Sequence, residues 1–394
     1  MLYLRAAHIF PAIIVSMFLS CSLVVMSCSL VVNVFLKEEI MLYCRTLLLL
    51  AVAHSKSLQT GGSVCEKGCD CQGEFRFTNC SDMLFARVPG DIPPLTEHLD
   101  LSRNRLSLLP AGAFRGLRRL RVLLLSDNNI SRVAGGAFAS LEGLQRLDLS
   151  RNRLSALGEG FSLGLGSLKE LQLGENRLTR LDGPLRLDGL QRLDLSANAI
   201  GSVGPRAFGL MTSLRRLYLR DNRLGFLGDG VFSMLRSLEV LHLEGNRIDG
   251  TEAGVFAPLT GLALLDLTRN RLTAVRFKAF LGIRSHSTRV LLAGNPWSCD
   301  CDLQRVFGKL RGVRRLSLDD YGDLSCAEPP ELRGYRLAAV DAELCVAETV
   351  TVLVITVTVL ITVAAAVFMA EKTRKRQMGE RPSEDSSVVY QYQT

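Results

Sequence analysis

Between residues 95 and 294 the apolar positions follow one order, L-x-x-L-x-L-x-x-N-x-L, as in Leu144, Leu147, Leu149, Asn152 and Leu154. The asparagines Asn104, Asn128, Asn152, Asn176, Asn198, Asn222, Asn246, Asn270 and Asn295 stand 24, 24, 24, 22, 24, 24, 24 and 25 residues apart. Leu147 and Leu149 alternate as in a short strand, so both point to the same side. The Asn turns the chain out of the strand, and its carboxamide can both donate to and accept from loop backbone buried between turns. A second apolar set, Phe114, Phe138, Phe208, Phe232, Phe256 and Phe280, follows ten residues after its Asn and predicts a convex spine. No such unit buries its leucines alone, so the fold must be a stack of repeats. Eight parallel strands at ~4.8 Å spacing make a concave sheet on the order of 40 Å across, long enough to hold a protein. One repeat breaks step: two residues are missing between Asn176 and Asn198, and Gly183-Pro184-Leu185 replaces the Phe, which predicts a tighter convex side.

Residues between the strand leucines face the concave side. Four places before each Asn stand Asp100, Leu124, Asp148, Gln172, Asp194, Tyr218, His242 and Asp266. Two places earlier come His98, Val122, Arg146, Glu170, Arg192, Arg216, Val240 and Leu264. Tyr and Arg, the usual binding anchors, concentrate at Arg216, Tyr218, Arg220, His242 and Glu244, which make the candidate protein-binding patch. The competing reading is that these charges keep an open sheet soluble, with Arg192 and Arg216 pairing internally with acids such as Asp148 and Asp194. Arg105, Arg153, Arg177, Arg223, Arg247 and Arg271, each one place after an Asn, form a ladder that makes sulfated glycans a further candidate partner. Asn129 and Asn79 head N-x-S sequons, Asn129 being the better placed for a glycan.

The repeats hold no cysteine, but both flanks do: Cys65, Cys69, Cys71 and Cys80 before them, Cys299, Cys301, Cys326 and Cys345 after. Four cysteines allow three pairings, and four thiolates also suffice for one zinc ion. Membrane and secretory signals imply an oxidising compartment, which favours disulfides. Residues 349–370 carry no charge and are long enough to cross a bilayer, and Lys372, Arg374, Lys375 and Arg376 follow as a stop-transfer cluster. Thr358, Thr362, Ala366 and Ala370 put small side chains on one stripe of that helix, a candidate helix-packing face. Near the N-terminus residues 41–60 read as a signal peptide, while the apolar stretch 9–36 is either an extension, a longer signal or a second span. The tail beyond is short and polar, with Ser383, Ser386, Ser387, Tyr390 and Tyr392 as compositional phosphosites.

Catalytic chemistry is scarce. Of five histidines, His98, His242 and His286 fall in the ectodomain, and no two share metal-ligand spacing on one element. No glycine-rich phosphate loop follows a strand. No enzyme, cofactor or metal site is expected, and the formal net charge of +8 comes from scattered Arg and does not indicate nucleic acid.

The period, the two cysteine flanks and the span together resemble the extracellular leucine-rich-repeat single-pass membrane proteins. This group includes the leucine-rich-repeat and transmembrane-domain proteins and the auxiliary gamma subunits of large-conductance potassium channels. The stretch Asn295-Pro296-Trp297-Ser298-Cys299-Asp300-Cys301, with Leu324-Ser325-Cys326-Ala327 after it, is similar to the C-terminal cap of trophoblast glycoproteins, although the regular repeats depart from them. The resemblance implies an α/β solenoid: a leucine-rich-repeat horseshoe with a parallel concave sheet, disulfide caps at both ends and one transmembrane helix. It implies the pairings Cys65–Cys71, Cys69–Cys80, Cys299–Cys326 and Cys301–Cys345. The expected domains are a signal or extension region (1–63), an N-terminal cap (64–94), repeats (95–294), a C-terminal cap (295–345), the span (349–370) and a cytoplasmic tail (371–394). Implied too is recognition at the plasma membrane, ectodomain outside, of an extracellular or membrane protein, in adhesion or as a co-receptor. The alternative is an auxiliary subunit that regulates a channel or other membrane protein in cis through its helix.

Overall fold

The first Leu of each L-x-L unit is the centre of a three-residue strand in the computed structural model, which describes residues 63–379 apart from positions 182, 184, 206 and 341 and the side chains of 342–349 and 377–379. The signal-like segments, Cys21, Cys28, Cys44 and the tail from residue 380 onward lie outside the described residues. The strands His98–Asp100, Val122–Leu124, Arg146–Asp148, Glu170–Gln172, Arg192–Asp194, Arg216–Tyr218, Val240–His242 and Leu264–Asp266 pair in parallel with their neighbours. Their central leucines fall opposite one another and are sealed from solvent. The sheet is longer than the repeats: it has 12 strands among the described residues. Phe77–Asn79 adds a parallel strand before the first repeat, and Asp70–Gln72 closes that edge antiparallel. Thr288–Leu291 and Leu316–Leu318 extend the other end. An exposed sheet edge is a template for unwanted pairing, and both flanks place sheet strands and disulfides at the ends.

The asparagines tie one turn to the next. Asn152 accepts the Ile130 N–H at 2.9 Å and donates to the carbonyls of Leu125, Leu149 and Ser150 at 2.9, 3.1 and 3.0 Å. This bonding holds the preceding residue in the left-handed region, as at Arg151 (φ 51°), Glu175 (φ 54°) and Asp221 (φ 53°). Non-glycine residues adopt that conformation only when the surroundings over-determine it.

On the convex side the phenylalanines stack as a spine, with centroids 5.9 Å apart for Phe114 and Phe138 and 6.4 Å for Phe232 and Phe256. Phe161 joins it edge-on to Phe138 at 5.7 Å, although it stands nine rather than ten residues after its Asn. The backbone nearby is close: at Gly164 (φ 85°) an added Cβ would run into the Phe138 carbonyl and Ala139. The spine breaks at the short repeat. There Leu185 stands between Phe161 and Phe208, and a cavity of about 30 Å³ opens against Leu181, Gly183, Leu185, Phe208 and Met211. The two residues are lost from the convex side, and among the described residues no ring lies between Phe161 and Phe208 there.

Disulfides Cys65–Cys71, Cys69–Cys80 and Cys299–Cys326 are formed. Cys301 is also disulfide-bonded, and its expected partner Cys345 belongs to the side chains outside the described set. In the C-terminal flank Asp300 accepts the Leu303 N–H at 2.7 Å and caps helix Cys301–Arg311. Its Phe307 packs edge-on against the buried Trp297, centroids 5.5 Å apart. The last helix, Ala342–Gly379, contains one stretch, Val350–Arg376, long and apolar enough to cross a bilayer.

Candidate functional site

The parallel register fixes what each concave residue meets. Arg192 lies between Glu170 and Arg216, Tyr218 between Asp194 and His242, and His242 between Tyr218 and Asp266. Toward the N-terminal side the charges compensate: Glu170 receives Arg146 at 3.6 Å and Arg192 at 3.5 Å. The guanidinium of Arg192 also sits over the Tyr218 ring, 4.9 Å from its centroid. Tyr218 in turn stacks on His242 with centroids 5.1 Å apart and planes 9° from parallel. His98 makes a comparable stack on Phe77 at 4.7 Å, and burial, the larger influence there, holds its imidazole below the ordinary range.

His242 is held from two sides. Its Nδ1 lies 3.1 Å from Glu244 and 3.7 Å from Asp266. The nearby carboxylate of Asp266 and the hydrogen-bonded one of Glu244 outweigh the desolvation of the ring and raise its pKa to about 9. Burial opposes charge on Asp266, but the neighbouring His242 and the bonds from the N–H and hydroxyl of Thr268 prevail, and its carboxyl sits below the usual range.

The expected patch therefore divides. Arg216 and Arg220 are exposed and make no ion pair among the described residues. Tyr218 and His242 are half-buried and stacked between them, a preorganised aromatic pair with cations at its margin. Glu244, only 7% exposed, is turned to His242 and is less a contact than a support. The internal-pairing reading fits Arg192, which reaches Glu170, and does not fit Arg216.

The concave aspartates are also not what their row suggests. Asp100, Asp148, Asp194 and Asp266 accept the backbone N–H two residues on, from Ser102, Ser150, Ser196 and Thr268, at 2.8, 2.9, 2.9 and 3.0 Å. Each closes its own strand end, a local bond that D-x-S and D-x-T spell in the sequence. The grouping of His242, Glu244 and Asp266, all within 4.8 Å of one another, escapes a search along the chain because Asp266 comes from the next repeat. The signal that finds it is H-x-E followed one period after the His by an Asp.

Elsewhere, the six ladder arginines are exposed and form no ion pair among the described residues. Asn129 is exposed, whereas Asn79 is half-buried in a strand and accepts the Ser81 N–H at 2.9 Å. Thr358 and Thr362 are exposed on the last helix, as are Ala366 and Ala370, and both hydroxyls donate at 2.8 Å to their own helix, to Ile355 and Val359.

A parallel sheet built from one Asn-locked repeat, its ends closed by disulfides, defines the class. The leucine rich repeat family matches residues 94–154, 142–185, 184–224, 212–272 and 236–288, and the chain belongs to the leucine-rich-repeat proteins. Among solved structures it is similar to human 5T4 (Wnt-activated inhibitory factor 1, trophoblast glycoprotein): 27% identity, 70% of this chain and 96% of that one covered, TM-score 0.53. Leucine-rich repeat-containing protein 3B of Danio rerio is 44% identical over 69 residues, covering 16% of this chain and 27% of its own. Decorin of Gallus gallus is 41% identical over 64 residues, covering 16% and 17%. The chain thus spans well under half the length of these two curated relatives.

Proposed function

We propose that this chain is a cell-surface binding protein whose concave face recognises an extracellular protein, in adhesion or as a co-receptor that modulates signalling by secreted ligands. The observation that carries the reading is the Tyr218–His242 stack flanked by Arg216 and Arg220, exposed and without an ion pair among the described residues. Aromatic anchors locked before contact lose little side-chain entropy on binding, and exposed guanidinium groups beside them supply directional donors. Two features support the orientation. Lys372, Arg374, Lys375 and Arg376 follow the apolar helix as cytoplasmic flanks do, and the disulfides suit an oxidising exterior. Asn129, exposed, is then available for a glycan.

The test displays the full chain on cells and screens it against a library of secreted and cell-surface proteins, with and without removal of sulfated glycans. A saturable protein ligand is expected, and the double variant Arg216→Ala, Tyr218→Ala at equal surface level should bind it on the order of tenfold or more weakly. Binding unchanged by the double variant removes the patch from the site, and loss of binding on glycan removal shifts the site to the Arg105–Arg271 ladder. A partner that co-purifies through the membrane helix alone, indifferent to the concave face, replaces this reading with regulation in cis.

A further inference from the structure

His242 and Glu244 project from one strand and its exit, and Asp266 stands beside His242 on the next. From Nδ1 of His242 to Oε2 of Glu244 is 3.1 Å, and to Oδ2 of Asp266 3.7 Å. A tetrahedral ion bound at about 2.1 Å to each donor sets its ligand atoms about 3.4 Å apart, so the two measured edges fall on either side of that value. The donors are also held in place. Glu244 and Asp266 are 7% and 8% exposed, and Oδ1 of Asp266 is fixed by the N–H and hydroxyl of Thr268 at 3.0 and 2.8 Å, leaving Oδ2 for the site. The imidazole is oriented by its stack on Tyr218.

We propose that His242, Glu244 and Asp266 form a zinc-binding site on the concave face, with the fourth coordination position open to water or to a donor from outside. One imidazole and two carboxylates are ligands that zinc accepts, and a neutral imidazole with two carboxylates balances the charge of a divalent ion. The charged and titratable groups around the ring are Glu244 on its own strand exit, Asp266 on one side and Tyr218 with Arg192 above it on the other. Asp320, whose carboxyl is raised first by burial and also by Asp266, adds negative potential nearby. The site stands whether or not the face binds a protein, so its failure and that of the binding reading are separate results.

The experiment titrates the chelator-stripped full-length protein, in detergent micelles, with zinc chloride by calorimetry. His242→Phe keeps a ring against Tyr218 but removes the nitrogen donor, and Glu244→Gln keeps the side-chain volume should the first variant fold poorly. One ion per chain with micromolar or tighter affinity is expected, weakened about tenfold or more in either folded variant. No saturable uptake below about millimolar zinc, or uptake identical in both variants, overturns the assignment.

Discussion

Replacing Asn222 with Ala isolates what the asparagine ladder does. Its Oδ1 accepts the Ile200 N–H at 3.0 Å, and its Nδ2 donates to the carbonyls of Leu195, Leu219 and Arg220 at 2.9, 3.1 and 3.2 Å. The carbonyls keep other partners: Leu195 still receives Asn198, Leu219 still receives Asn246, and Arg220 still receives the Ala197 N–H. Only the Ile200 N–H loses its listener altogether, inside a core where Ile200 is fully buried. Orphaning one buried donor costs ~1–3 kcal/mol, and the lost net contribution of the donated bonds brings the total to about 2–4 kcal/mol. Asn222→Asp should be worse near neutral pH, because a buried carboxylate oxygen then faces carbonyl oxygens where an N–H₂ had donated. Its deficit relative to Ala should narrow in acid, where the acid group regains a donor. The neighbouring Arg223 is exposed, and Arg223→Ala should stay within about 0.5 kcal/mol of the parent. Urea unfolding of the full-length protein in micelles, followed by far-ultraviolet circular dichroism, reads all three. An Asn222→Ala cost below about 1 kcal/mol, or an Asn222→Asp variant as stable as the Ala variant, refutes the accounting.

His242, with its pKa raised to about 9, adds stability that is fully present below its ordinary 6.5 and is lost as pH rises through about 9. Its side chain is 23% exposed and therefore partly screened, so with chelator present His242→Phe should lie about 1–2 kcal/mol below the parent in mild acid, the gap closing in base. A gap that does not change with pH counts against the pairing. Leu185→Phe should fill the cavity of about 30 Å³ and bridge Phe161 to Phe208, raising stability by up to about 1 kcal/mol in the same urea assay, whereas a loss would mean that the space cannot admit a ring. Arg216→Glu places an acid beside Arg192 in the sheet register and should stabilise the fold by about 0.2–1 kcal/mol while weakening ligand capture; equal or tighter capture would place the ligand elsewhere.

The repeats are legible because a solenoid writes its geometry as a period: strand, turn and spine recur at fixed offsets, and the register of Leu193 on Leu217 follows from counting. Phe161 escapes that counting because its repeat places the ring one residue early and recovers the step later, which a fixed offset cannot see. The extra strands Phe77–Asn79 and Leu316–Leu318 escape it too, since they follow no period and are shaped by the need to close the sheet. In the candidate site, which residues share a face is readable from alternation. Which of them are free is not. Asp148 and Asp194 are spent on their own strand ends and Glu244 on His242, and only short D-x-S and H-x-E spacings hint at it.

The concave face changes character at one strand boundary, and charge arithmetic explains where. Glu170 serves both Arg146 and Arg192, so the acid available to that part of the row is used up before the next arginine arrives. Arg216 then lies between Arg192 and Val240, with a like charge on one side and no charge on the other. Directly opposed like charges oppose sheet formation, and a surface shaped for solubility alone would gain from an acid at that position. Arg192, already paired with Glu170, also lies over Tyr218, whose other face stacks on His242. Stability given up next to a preorganised surface is the pattern expected where proteins spend stability on binding.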